Sequence, residues 1–330
     1  MPKTLTKLLF LALGVGLFTW AVLTVDIKGV LGLISQMGWG LFWVFAIYSI
    51  VTWVDTISWR YAFKPNEAEM LSIWNLWKIR QIGEAFNIIT PFGTVGGEPL
   101  KAQLIKDQHG LTFKQGIATQ VIARTTFLGA LIAFMIPGII ILILSDTATD
   151  RFKIISSALL VVFTICIFLF FIFQAHGSLG KVTGWLTRPF PSLKGSDFLS
   201  QMKDLDGLMS TYYRDHAGRL WKSILFALAG WIIGLGELYV TLYFLGAEVN
   251  FFDLWIMEAV SQLIRVCSFF IPLSLGAQEG GLILIFSSIG FTPDLGLAVS
   301  FVRRIKELLW VALGLLLGGG ALFKSKTPAK

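Results

Sequence analysis

The chain has 330 residues, of which 55% are hydrophobic and 14% charged, with a formal charge of +7. With a mean hydropathy of +0.74, this composition excludes a soluble globular enzyme and points to a polytopic membrane protein with room for about six to eight spans of about 20 residues. The basic excess does not indicate nucleic acid, because the lysines and arginines lie in loops between apolar segments, where they orient spans and attract anionic headgroups.

A first span is predicted at residues 8–25, after Lys3 and Lys7. It is long enough to cross, and no small-residue cleavage site comes after it. A second covers 39–59, with Trp39, Trp43, Trp53 and Trp59 at its ends and Asp55 at its interface. Arg60, Lys64, Lys78 and Arg80 then form a basic region.

Residues 81–104 read QIGEAFNIITPFGTVGGEPLKAQL. Pro91 lacks an N–H donor and clashes with the preceding turn, and Gly93, Gly96 and Gly97 loosen the backbone beyond it. A helix broken at membrane depth is tolerated only where protein or a watery cavity covers the freed backbone. The stretch is therefore read as a re-entrant hairpin over about 71–105; a cytoplasmic loop flanked by two amphipathic helices is the alternative.

A long helix over 112–144 comes next, with Pro137 expected to kink it. Residues 154–173 make a plain span. Residues 175–219 form a polar insertion, too short for a catalytic domain; its part after Ser196 reads as a surface helix. A span at 220–245, a second hairpin at 254–289, a span at 292–322 and a basic tail at 323–330 complete the chain. Cys166 and Cys267 fall in apolar segments and read as small hydrophobes.

The second hairpin contains IPLSLGAQEGG, broken at Pro272 and Gly276. At one constant offset Pro91 falls on Pro272 and Glu98 on Glu279. After one residue is dropped, Gly116 falls on Gly296, Ala118 on Ala298 and Arg124 on Arg304. Weak internal repeats of this kind occur in transporter folds. Placing every basic segment in the cytoplasm puts both termini inside, and the hairpins then approach from opposite faces. The fold class is thus all-α and polytopic, with about six full spans and two re-entrant hairpins in two inverted-topology repeats. Residues 1–322 make a single membrane domain, with repeat one at about 8–145 and repeat two at about 154–322.

Arg124 and Arg304 each lie about 18 Å into a helix at 1.5 Å per residue. An arginine at that depth faces protein or water and is a functional candidate, the alternatives being a structural ion pair or snorkelling. Glu98 and Glu279 open the second half of each hairpin, where a carboxylate caps a helix and can meet a cation. They are the expected resting partners of the two arginines. Arg80, Glu84 and Asn87 share one helix face, as do Glu258, Gln262 and Arg265; cavity walls are the functional reading. Arg303 and Glu307, four apart, are expected to compensate each other. No zinc spacing, nucleophile elbow or phosphate-binding loop is present, so neither enzyme chemistry nor a metal or cofactor is expected.

The stretch TPFGTVGGEPLKAQL, with VIARTT after it and LGAQEGG plus a late arginine in the second half, resembles the flippase-like family, which is the transmembrane region of lysylphosphatidylglycerol synthases. The resemblance covers about 5–322. It implies a membrane domain that moves aminoacylated phospholipid between leaflets. The soluble synthase domain of full-length members is not expected, since the chain ends soon after its last span. Stand-alone relatives beside polyprenyl-glycolipid and hopanoid pathways leave the cargo open. A lipid translocase of the bacterial cytoplasmic membrane is expected, with membrane lipids as partners, no nucleic acid and an open oligomeric state. A transporter of a soluble anion, or a non-transporting partner of a lipid-synthesis enzyme, would fit the same pattern.

Overall fold

The computed structural model describes residues 35–89, 96–146, 148–176, 196–268, 274 and 276–323. The expected first span, the hairpin breaks at Pro91, Gly93 and Pro272, and the basic tail lie outside these residues. Among the described residues there is helix and no strand. In chain order the helices are α1 (Gly40–Tyr61), α2 (Pro65–Glu69), α3 (Ile73–Ile89), α4 (Gly97–His109), α5 (Phe113–Leu144), α6 (Asp150–Ala175), α7 (Ser196–Asp215), α8 (Ala217–Phe244), α9 (Phe251–Cys267), α10 (Ala277–Ser288) and α11 (Pro293–Phe323).

Local chemistry sets the ends. Thr112 caps α5 by accepting from Gln115 N at 3.2 Å, while the Gln115 side chain accepts from Thr112 N at 2.9 Å; two orphan donors are satisfied together. Asn250 caps α9 by accepting from Asp253 N at 2.9 Å. α4 stops at Gly110, whose φ of 72° suits a residue without Cβ. α5 runs unbroken through Pro137. Around that proline, residues 127–144 carry no ionisable side chain.

Four helices, α1, α5, α6 and α8, are long and apolar enough to cross a membrane. α11 is 31 residues long but carries Arg303, Arg304, Lys306 and Glu307 at its centre. α6 turns Ile154, Ile155, Val161, Val162, Ile165 and Phe168 outward, the pattern of a helix facing lipid.

Among the described residues, two large apolar cores and two smaller clusters hold the helices together. One gathers Phe134, Met135 and Leu142 of α5 with Leu238 and Leu242 of α8, Met257 and Val260 of α9, and Ile285 and Phe286 of α10. The other gathers Trp59 and Phe63 at the end of α1 with Leu76 and Ile82 of α3, Ile105 of α4, Ile122 of α5, and Met209 and Tyr212 of α7. Trp59, expected at a span end, is a core residue at 4% exposure; Phe63 packs on its ring at 5.7 Å and Lys101 Nζ lies 5.9 Å over it.

The partners cross between the halves of the chain. α3 packs on α4 but also on the far α11; α9 packs on α10 but also on α5. A Cβ on Gly314 would sit 2.5 Å from Gln81 O on α3, and one on Gly138 would sit 2.5 Å from Ala259 Cβ on α9, so small residues bring these backbones together. α4 and α10 rest on their long helices in the same way. Gly116 faces Ala102 of α4, and Gly296 faces Leu282 of α10, each within 3 Å of where a Cβ would lie. α1 lies along α8, joined where Ser58 Oγ donates to Ser223 O at 2.8 Å and where Ser223 Oγ meets Thr126 Oγ1 of α5 at 2.8 Å.

Candidate functional site

The charged residues that sequence and apolar context single out fall into two clusters. The first is built on α3 and α4. Lys101 Nζ lies 2.6 Å from Glu84 Oε1 and 3.2 Å from Glu98 Oε1. Asn87 stitches the two helices: its Nδ2 donates to Glu84 at 3.3 Å and Glu98 at 3.2 Å, and its Oδ1 accepts from Gly97 N at 2.7 Å. Gly97 can come this close because it has no Cβ, which would strike the Gly83 carbonyl. Arg80 Nη2 lies 2.7 Å from Asp55 Oδ2, tying α3 to α1. The Asp55 side chain is 11% exposed and lies against that guanidinium.

The second cluster is built on α9, α10 and α11. Arg304 lies 2.8 Å from Glu279 and 3.1 Å from Glu307. Glu307 also meets Arg265 at 3.6 Å. Glu258 accepts from Gln262 at 2.6 Å and pairs with Arg303. Arg303 and Glu307 therefore do not compensate each other as their spacing predicts, because α9 presents a nearer carboxylate to Arg303. Glu279 Oε2 accepts from Gly276 N at 2.7 Å, so it caps α10 and holds an arginine together. Glu237 of α8 pairs with Lys306, whose Nζ sits 4.1 Å over the Tyr48 ring.

Tyr48 of α1 lies beneath the second cluster, its ring centroid 4.1 Å from Lys306 Nζ. Because α3 packs on α11, the two charged clusters sit on adjoining helices within an apolar bundle.

The two arginines are treated differently. Arg304 is buried at 5% exposure. Arg124 is exposed, with its guanidinium 6.0 Å over the Phe127 ring and within electrostatic reach of Glu84. Among the described residues, no carboxylate lies at ion-pair distance from it. Glu279 does pair with its expected arginine; Glu98 does not, because Lys101, one turn along α4, reaches it without crossing between helices. The anions Asp55, Glu84, Glu98, Glu237, Glu258, Glu279 and Glu307 outnumber their paired cations, Arg80, Lys101, Arg265, Arg303, Arg304 and Lys306, by one.

Sequence reasoning missed Lys101, Asp55, Glu237, Arg303 and Lys306 as members. Glu237 carried a usable signal, a lone acid in an otherwise apolar helix. Lys101 carried one too, three residues after Glu98 and on the same face. The partnership of Glu237 with Lys306 spans helices far apart in sequence and left no local trace.

Comparison with curated proteins yields no match, and comparison with solved structures likewise yields none. One family model does match, over residues 7–315. Nearly the whole chain, including both clusters, lies inside that match, and the protein belongs to the lysylphosphatidylglycerol synthase TM region family.

Proposed function

We propose that this protein is a lipid translocase of the bacterial cytoplasmic membrane, which passes a phospholipid or lipid-linked headgroup between leaflets while the acyl chains stay in the bilayer. The observation that carries this reading is the pair of charged clusters on the adjoining helices α3 and α11, inside an otherwise apolar bundle. A bare headgroup is costly to move through hydrocarbon. Fixed charges substitute for water along its route, and side chains of both signs meet phosphate and amine alike.

The architecture behind this reading is a single membrane domain over residues 1–322, in two repeats at about 8–145 and 154–322, with the polar insertion 175–219 and both termini in the cytoplasm. Each repeat supplies a re-entrant hairpin, α3 with α4 and α9 with α10, and a long helix, α5 or α11. The reciprocal packing of α3 on α11 and α9 on α5 supports an inverted relation between them. So does the equivalence of the Gly116–Ala102 and Gly296–Leu282 contacts. Family membership supports lipid as the cargo.

The test is leaflet exchange. Purified protein in liposomes should move labelled anionic, aminoacylated or polyprenyl-linked lipid between leaflets faster than empty vesicles do. Exchange no faster than in empty vesicles for all three classes defeats the reading. Uptake of a soluble organic anion without lipid exchange would assign the clusters to a soluble substrate.

A further inference from the structure

Glu98 and Glu279 occupy matching positions, and so do Arg124 and Arg304, yet only one of the two pairs is made. When equivalent parts of two inverted repeats differ in conformation, exchanging the conformations generates the opposite-facing state. We propose that the protein has a second state in which Arg124 holds Glu98 and Arg304 has released Glu279, so that one ion pair forms as the other breaks.

This inference rests on the translocase reading for its purpose, but its physical content is in the contacts. An exchange of buried charges is feasible only if no ion is stranded on the way. Each participant has a second partner that meets this need. Lys101, on losing Glu98, keeps Glu84 at 2.6 Å. Arg304, on losing Glu279, keeps Glu307 at 3.1 Å. A released Glu279 retains the Gly276 N–H at 2.7 Å. Glu98, before Arg124 arrives, retains the Asn87 amide at 3.2 Å. Arg124 is already poised, exposed and within electrostatic reach of Glu84, which Lys101 joins to Glu98. The contact that must adjust is α4 against α5, and there Gly116 offers no side chain to interlock with Ala102.

The asymmetry also assigns the moving part. In the second half the carboxylate of the short helix is tied to the long helix. In the first half Glu98 is tied to Lys101 of its own helix. The Lys101 pairs with Glu84 and Glu98 lie within the unit of α3 and α4 and travel with it, and no ion pair joins that unit to α5 among the described residues; Arg80 with Asp55 is the ion pair that tethers it to α1.

The experiment is paired-cysteine cross-linking in membranes, in a background with Cys166→Ser and Cys267→Ser. Glu98→Cys with Arg124→Cys reports one pair, and Glu279→Cys with Arg304→Cys the other. A short bifunctional thiol reagent should link the second pair efficiently and the first weakly. Adding Arg304→Gln to the Glu98→Cys/Arg124→Cys protein removes the bias and should raise its linked fraction about threefold or more. A folded control carrying Arg304→Lys keeps a cation between Glu279 and Glu307 and should leave the fraction low. No rise with Arg304→Gln, or an equal rise with Arg304→Lys, overturns the exchange. Because the readout is a cross-link, it fails or succeeds independently of lipid movement. Cross-link exchange without leaflet exchange would defeat the translocase reading alone, and leaflet exchange with an invariant cross-link would defeat this one alone.

Discussion

The first cluster, around Lys101, and the second, around Arg304, solve one problem in two ways. Each must neutralise a carboxylate at the start of a short helix inside an apolar protein. The second draws its cation from a long helix and so locks α10 to α11. The first draws its cation from the same short helix and leaves the long helix's arginine outside. The difference teaches that matched positions in two halves of a chain need not carry matched loads. Arg304 is structural and electrostatic together; Arg124 is free of structural duty in this conformation.

The largest effect expected from that contrast is on stability. Arg304→Gln leaves Glu279 and Glu307 short of their cation in a buried site, and should cost about 3–5 kcal/mol. Arg124→Gln, at an exposed position without an ion pair, should stay within about 0.5 kcal/mol. Thermal unfolding in detergent measures both. Equal losses would erase the distinction between the arginines. Both variants should nonetheless slow lipid exchange, with Arg124→Lys recovering part of it, since lysine restores the charge without the planar fork.

Lys101→Met comes next. It strips the first cluster of its cation and leaves Glu84 and Glu98 facing each other. Because the Glu84 side chain is 36% exposed, water screens part of the loss, and about 1–3 kcal/mol is expected. A loss as large as that of Arg304→Gln would show that the first cluster is as rigidly built as the second.

Two glycines sharpen the comparison further. Gly97→Ala is limited by space, because the new methyl meets the Gly83 carbonyl; about 1–3 kcal/mol is expected from forcing the helices apart. Gly276→Ala is limited by conformation, because φ is 78° with nothing within 4 Å of the new Cβ; about 1–2 kcal/mol is expected. Because ψ at Gly276 is −40°, outside the left-handed helical well that asparagine tolerates, Gly276→Asn should lose about as much as Gly276→Ala.

The smallest effect is on a cover that the described structure places only over the first cluster's side. Tyr212 of α7 donates to Tyr61 O at 2.5 Å. Tyr212→Phe should cost about 1 kcal/mol. Burial pushes the Tyr212 phenol up to about 12. The unfolded chain loses that proton near pH 10, so the contribution is intact below pH 10 and lost as pH rises toward 12. Hydrogen exchange of α7 at alkaline pH, compared with Tyr212→Phe, measures it.

The helices were legible in the sequence wherever apolar length and caps agreed. Residues 112–144 were read as a helix from their hydropathy, and Thr112 caps its start; residues 220–245 and 292–322 were read nearly to their ends. The charged candidates were legible as individuals, because a charge in an apolar run is conspicuous. Their partners were not. Glu279 with Arg304 followed from the internal repeat. Glu98 with Lys101 required knowing that a one-turn reach beats an interhelix one. Arg303 with Glu258 and Lys306 with Glu237 depend on which helices lie side by side, which no local pattern encodes. The polar first turns of α5 stand against α4 and α7, and its uncharged run begins only at Phe127.

The hydroxyls of Ser58, Thr126 and Ser223 meet where α1, α5 and α8 come together. A hydroxyl both donates and accepts and rotates freely about its bond. Three of them can trade partners as the helices tilt, always leaving each oxygen occupied. Such a node holds the three helices together while leaving its hydroxyls free to re-pair if the helices rotate; apolar side chains of similar size would keep the helices together without that exchange.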